Sequence, residues 1–319
     1  MYSTGKWWMW LGFVAFVVFV VAIDIMFLGG KKARKVTVKE ALGWVSVWVS
    51  CALLFNLWLW HYLTQVFGAE IANRKALEFF SGYLIEQSLS VDNMFAFIMV
   101  FKYFSIPREY QRRVLLYGIL SAIVLRLIII LSGVWLVSKL AWILYIFGAF
   151  LVYTGVKMLF PENETKSLAE NPLLLWMQRH IRITDRLYKD RFFVKINYLW
   201  YATPMLLVLA LIEISDIVFA LDSIPAIFAI TDDAFIIFTS NVFAILGLRA
   251  LFFLLSNLEE KFFLLRYGIA VMLTFIGVKM LVAHWIEIPI TFALGVLVAI
   301  LSTTIILSLI FQSKRIRHE

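Results

Sequence analysis

The stretch Thr154-Gly155-Val156-Lys157-Met158-Leu159 returns almost unchanged as Ile276-Gly277-Val278-Lys279-Met280-Leu281. Each copy closes a set of three apolar runs. Ahead of each lies a run with a single arginine inside it, Arg126 and then Arg249. Ahead of that lies an acidic run, Glu86-x5-Asp92-Asn93 in the first set and Asp216-x5-Asp222-Ser223 in the second. Acid, arginine and lysine thus recur in the same order. Three is an odd number of crossings, so a second copy must enter a bilayer from the opposite side. Inverted repeats of this kind are typical of transporters, whose sites lie near the membrane midplane where the repeats meet.

That a bilayer is involved follows from composition. Of 319 residues, 63% are apolar and 16% charged, against about 45–50% and about 25% in a soluble domain. The apolar residues fall in nine runs, at about 7–28, 41–63, 76–101, 113–138, 140–160, 200–230, 235–256, 266–283 and 289–311. A membrane helix needs roughly 20 such residues. The first run is too long for a signal-peptide core, and no small-residue cleavage pattern follows it. The expected fold is therefore all-α and polytopic. Residues 1–75 hold two helices, 76–160 the first repeat, 161–199 a polar loop, 200–283 the second repeat, and 284–319 the last helix and a tail.

Charge sets the expected orientation. One set of alternate loops, with the C-terminal tail, carries 21 Lys and Arg, and the opposite set carries four. By the positive-inside rule, the N-terminus lies outside and the C-terminus in the cytoplasm. Because these basic residues form short clusters between apolar runs, the net charge of +8 speaks for lipid and against nucleic acid. The one cysteine, Cys51, and four scattered histidines argue against zinc or copper sites of the His/Cys type. Lys157 and Lys279 read as lysines whose stems snorkel toward the two faces.

Five carboxylates remain inside the runs: Glu86, Asp92, Glu213, Asp216 and Asp222. An isolated aspartate at a helix centre costs roughly 2.5–3.5 kcal/mol on insertion. Arg126 and Arg249 can neutralise two of the five, which leaves an excess to be met by protons or a cation. Glu213 and Asp216 share a helical face, whereas Asp222 falls on the opposite one. Pro225 lacks an N–H and would release the carbonyl of Leu221, so a break in the helix near 221–225 is expected to re-aim Asp222. The donors are oxygens, with Asn93, Asn241, Ser90 and Ser223 in support. Such sites suit manganese, magnesium or calcium.

The segments Glu86-Gln-Ser-Leu-Ser-Val-Asp92-Asn93, Glu213-Ile-Ser-Asp216 through Pro225-Ala, and Thr239-Ser-Asn241 through Arg249-Ala resemble the TerC family of integral membrane proteins. The resemblance runs from about residue 10 to 311 and is nearest to the Alx-type branch. It implies a bacterial inner-membrane exporter of manganese, not an enzyme, with Glu86, Asp92, Asn93, Glu213, Asp216 and Asp222 as ion-site positions. It also leaves open a role in tellurite resistance.

Two other functions compete with ion transport. A scaffold without ion flux could dock a cytoplasmic partner on the loop 161–199, although Arg182, Arg186, Lys189 and Arg191 there equally suit a solvated face near anionic lipid. An intramembrane aspartyl protease is the other, but no Gly-x-Gly-Asp motif occurs.

Overall fold

A computed structural model describes residues 4–28, 37–140, 142–160, 172–184, 186–256, 264–283, 285–286 and 288–315. Within these, the side chains of 24–28, 92, 138, 172–173, 178, 221–222, 309 and 311–315 are outside the description.

Among the described residues, nine apolar helices occupy the nine runs: α1 (Trp7–Leu28), α2 (Val38–Phe67), α3 (Ala69–Tyr103), α4 (Arg108–Lys139), α5 (Ile143–Met158), then α7 (Pro204–Phe228), α8 (Ala234–Ser256), α9 (Leu265–Val282) and α10 (Ile290–Arg315). Seven are long and apolar enough to cross a membrane; Trp7–Ile23 and Ile143–Met158 are shorter apolar helices. The chain is a polytopic helical membrane protein. Its surface is apolar where lipid would lie: Leu54 and Leu57 on α2 and Ile306 and Ile310 on α10 are exposed. The centre is α8, buried at nearly every position from Phe235 to Leu255.

The packing has a reciprocal pattern. Helix α3 packs on α8 and α4 on α7, while α5 packs on α9. Exchanging α3–α5 with α7–α9 turns the first contact into the second and leaves the third unchanged. At the α5–α9 contact the backbones approach so closely that only glycine fits at Gly155 and Gly277, as small residues permit between membrane helices.

The ends of the bundle also sort as the alternating loops require. Thr4, Lys75, Glu78, Thr231 and Asp233 meet at one end. At the other, Arg113 pairs with Asp190 and Arg266 donates to the carbonyl of Phe160.

Three expectations need correction. The loop 161–199 is partly structured: α6 (Pro172–His180) is followed by an antiparallel hairpin, β1 (Phe193–Ile196) and β2 (Leu199–Ala202). Its turn residues Asn197 and Tyr198 have φ of 49° and 66°, the left-handed pair of a two-residue hairpin turn. The apolar run at 200–230 therefore opens as a strand and becomes helix only at Pro204, where proline suits the first turn. Secondly, α2 and α3 are separated by Gly68 alone, at φ 87° and ψ 166°, a conformation almost confined to glycine. The polar stretch 64–75 is thus helical on both sides of one residue. Thirdly, α7 continues through Pro225 to Phe228 without a break. Proline removes one helical hydrogen bond, and the carbonyl of Pro225 still accepts from the N–H of Ala229. Membrane helices tolerate this where neighbours supply substitutes.

Candidate ion-binding site

Arg126 on α4 is fully buried, and three other helices supply its partners. Its Nη1 donates to Glu86 Oε1 on α3, to Asn241 Oδ1 on α8 at 2.8 Å, and to Ser223 Oγ on α7 at 3.1 Å. Its Nη2 reaches Asp216 Oδ1 on α7 at 3.4 Å. Asn241 turns its amide to donate to Glu86 Oε2 at 3.0 Å. Glu86 and Asp216 are themselves buried. A charge this deep needs a partner with good geometry, and here one guanidinium serves two carboxylates. With both ionised, the cluster carries one excess negative charge.

Several polar atoms close to this cluster in sequence are buried without a hydrogen-bond partner among the described residues: Ser90 Oγ, Asn93 Oδ1 and Nδ2, and Asp216 Oδ2. Ser90 and Asn93 follow Glu86 by four and seven residues, so the three line one face of α3. Buried unsatisfied polar groups are uncommon and ask for an explanation, of which a ligand is one.

Glu213 lies one turn from Asp216 and is half-buried. It accepts a hydrogen bond from Ser121 on α4. Glu213, Asp216 and Arg249 line one narrow cavity between α3, α4, α7 and α8, with Gly118 and Met94 also on its wall. Arg249 lines a second cavity as well, beside Trp48 and Leu246.

Of the expected site residues, the structure thus gathers Glu86, Asp216, Arg126, Ser223 and Asn241, and places Ser90 and Asn93 on the same face of α3 as Glu86. Glu213 and Arg249 stand along the adjoining cavity. The side chains of Asp92 and Asp222 lie outside the described residues. Among the described residues, no three of His, Cys, Asp and Glu converge as a metal site would require; the guanidinium stands between Glu86 and Asp216.

Some residues escape sequence reasoning. Ser121 interrupts the apolar run ahead of Arg126, and that interruption is its signal. The terminal network has a weaker one. Glu78 Oε2 accepts from Lys75 Nζ and Thr231 Oγ1, each at 2.6 Å. Asp233 caps α8 through the N–H of Phe235 at 3.0 Å and accepts from the N–H and hydroxyl of Thr4 at 2.8 and 2.6 Å. Only the N-cap role of Asp233 is legible locally.

Against known proteins, residues 71–316 match the model of the family described as "Integral membrane protein TerC family". The chain belongs to the TerC family. It is 50% identical over 308 residues to the "Putative membrane-bound redox modulator Alx" of Salmonella typhi, covering 97% of this chain and 96% of that protein. The protein of the same name from Escherichia coli K12 is 51% identical, with the same coverage. An uncharacterized membrane protein of Myxococcus xanthus, STKORF319, is 45% identical, covering 97% of this chain and 94% of its own. No solved structure matches the chain. The TerC match spans α3 to α10 and so includes every residue of the Arg126 cluster.

Proposed function

We propose that this TerC family protein exports a hard divalent cation, foremost manganese with calcium or magnesium as the alternatives, across the bacterial inner membrane. In this reading the N-terminus is outside and the basic loops face the cytoplasm. The supporting observation is the Arg126 cluster: two buried carboxylates share one guanidinium, and Asp216 Oδ2 has no partner among the described residues. Arg126 then acts as a resident counter-charge. An arriving cation approaches along the cavity lined by Glu213 and Arg249 and competes with the guanidinium for Glu86 and Asp216. Asp92, Asp222 and Asn93 complete the oxygen donors. Carboxylates must shed protons to hold a metal, so acid opposes binding, and inward proton flow would drive release to the outside.

Metal flux into liposomes holding the purified protein tests this. The panel is manganese, calcium and magnesium, with and without a pH gradient. Manganese flux is expected, strengthened by the gradient, and it should fall steeply in Asp216→Asn, Asp92→Asn and Asp222→Asn proteins that remain monodisperse. Full manganese flux in well-folded Asp92→Asn and Asp222→Asn proteins would falsify the site. Absence of flux for every ion in the wild-type protein would favour the scaffold or tellurite-resistance role. Redox modulation, the role in the names of the Alx relatives, would have to proceed with Cys51 as the chain's sole thiol. Flux unchanged in Cys51→Ala separates transport from thiol chemistry.

A further inference from the structure

We propose that the segment from α6 to β2 is a binding platform for anionic phospholipid headgroups. It rests on geometry that does not involve the ion site.

The segment is held where the helices end. The N–H and hydroxyl of Thr203, the residue before α7, donate to the carbonyls of Phe192 and Arg191 at 2.9 and 2.6 Å. Asp190 accepts from Arg113 on α4 at 2.7 Å. The Phe192 ring lies under the Arg113 guanidinium and meets Tyr117 edge-on. Leu174 and Met177 anchor α6 in the core. The hairpin therefore cannot swing out into solution: β2 runs straight into a helix that crosses the membrane. Its exposed side chains lie at the level of the headgroups.

Those side chains are of two kinds. On one face of the hairpin Phe193, Lys195 and Trp200 stand together, with Lys195 directly opposite Trp200. Trp200 is 65% exposed and Tyr198, at the turn, 91%. Aromatic side chains left this open suit the membrane–water interface, where an apolar ring and a polar edge are both accommodated. The second kind is basic. Arg179, Arg182, Arg186, Lys189, Arg191 and Lys195 are all exposed. Asp190, the described acid of this segment, is already tied to Arg113. Cations clustered beside a spanning helix attract anionic lipid over a Debye length. Aromatic rings and lysine on one face fit a lipid surface better than they fit an acidic soluble protein, which would need no buried rings.

The test uses the full chain in nanodiscs of phosphatidylcholine alone, or phosphatidylcholine mixed with phosphatidylglycerol. Tyr198→Cys in a Cys51→Ala background carries a polarity-sensitive fluorophore, and nitroxide on the lipid headgroup reports proximity. Quenching in the anionic discs is expected to exceed that in neutral discs roughly twofold. It should fall to the neutral level in the Arg182→Gln/Lys189→Gln/Lys195→Gln protein, and also at about 0.5 M salt, where screening is nearly complete. A probe equally open to water in both discs overturns the proposal. So does a probe that becomes shielded only when soluble protein is added, which assigns the surface to a protein partner.

Discussion

A Cβ placed on Gly277 would lie 2.7 Å from the carbonyl oxygen of Gly148, and one placed on Gly148 would lie 3.0 Å from that of Gly277. Gly155 stands in the same relation to Ala270, whose carbonyl a Cβ would approach to 2.7 Å. The two contacts interchange when α5 and α9 are swapped, because seven residues separate the partners on each helix. Each of the nearly identical words thus packs against the stretch that precedes its counterpart on the other helix, as a two-fold axis in the membrane plane would require. Residues 76–160 are expected to superpose on 200–283 through such an axis, and cysteine cross-links engineered at symmetry-related positions of α5 and α9 should form with equal efficiency.

Gly277→Ala should therefore push backbone against backbone. Overpacking of this kind costs about 1–3 kcal/mol, and the melting temperature in detergent should drop. Gly295→Ala on α10 is the control, since nothing lies within 4 Å of its added carbon; it should melt at or slightly above the wild-type temperature, given the better helix propensity of alanine. Equal melting of the two variants would dissociate the glycine from the packing.

Arg126→Ala removes the cation from between Glu86 and Asp216 and should cost about 3–5 kcal/mol. Folded yield would fall sharply. Removing the whole network is different: Glu86→Gln, Arg126→Met and Asp216→Asn together leave no uncompensated charge, and yield should recover in part. An Arg126→Ala protein as stable as wild type is the result that would sink the shared-guanidinium account.

The twin lysines should diverge. Lys279 is half-buried, and its Nζ donates to the carbonyl of Ala229 at the end of α7 at 3.2 Å, so it closes a helix terminus where a snorkelling role was expected. Lys157 is exposed. Lys279→Met leaves a carbonyl unmet and should cost about 1–3 kcal/mol. Lys157→Met should stay within about 0.5 kcal/mol. Thermal melts of the two variants side by side decide it.

Thr231→Val keeps the shape of the side chain and removes its bond to buried Glu78, for an expected cost of about 1–3 kcal/mol. Thr231→Ser retains the hydroxyl and should recover most of it. If serine and valine melt alike, the hydroxyl is not what holds Glu78.

Much of this arrangement is legible in the sequence because the bilayer is a severe solvent. It demands long apolar runs, so the nine apolar helices described stand out, and it penalises isolated charge, so Glu86, Arg126 and Asp216 announce themselves. What stays hidden is set by contacts between distant segments. Nothing local ties Thr4 to Asp233, or Lys279 to the end of α7. The hairpin is masked for another reason: Leu199-Trp200-Tyr201-Ala202 is as apolar as the helix it precedes, and the turn at Asn197 and Tyr198 lacks the glycine that usually marks one. Pro225 misleads in the opposite direction. It is a strong breaker in isolation, yet a helix already fixed by its neighbours on α3, α4 and α5 absorbs a single missing bond.

The hold of Asp233 on Thr4 has a practical side. Thr4 is 8% exposed and gives both its backbone N–H and its hydroxyl to a carboxylate that also caps α8. A purification handle or fluorescent protein fused at the front of the chain must therefore thread out past a residue that is clasped to the bundle. Fusion there is expected to loosen the start of α8, a helix buried at nearly every position.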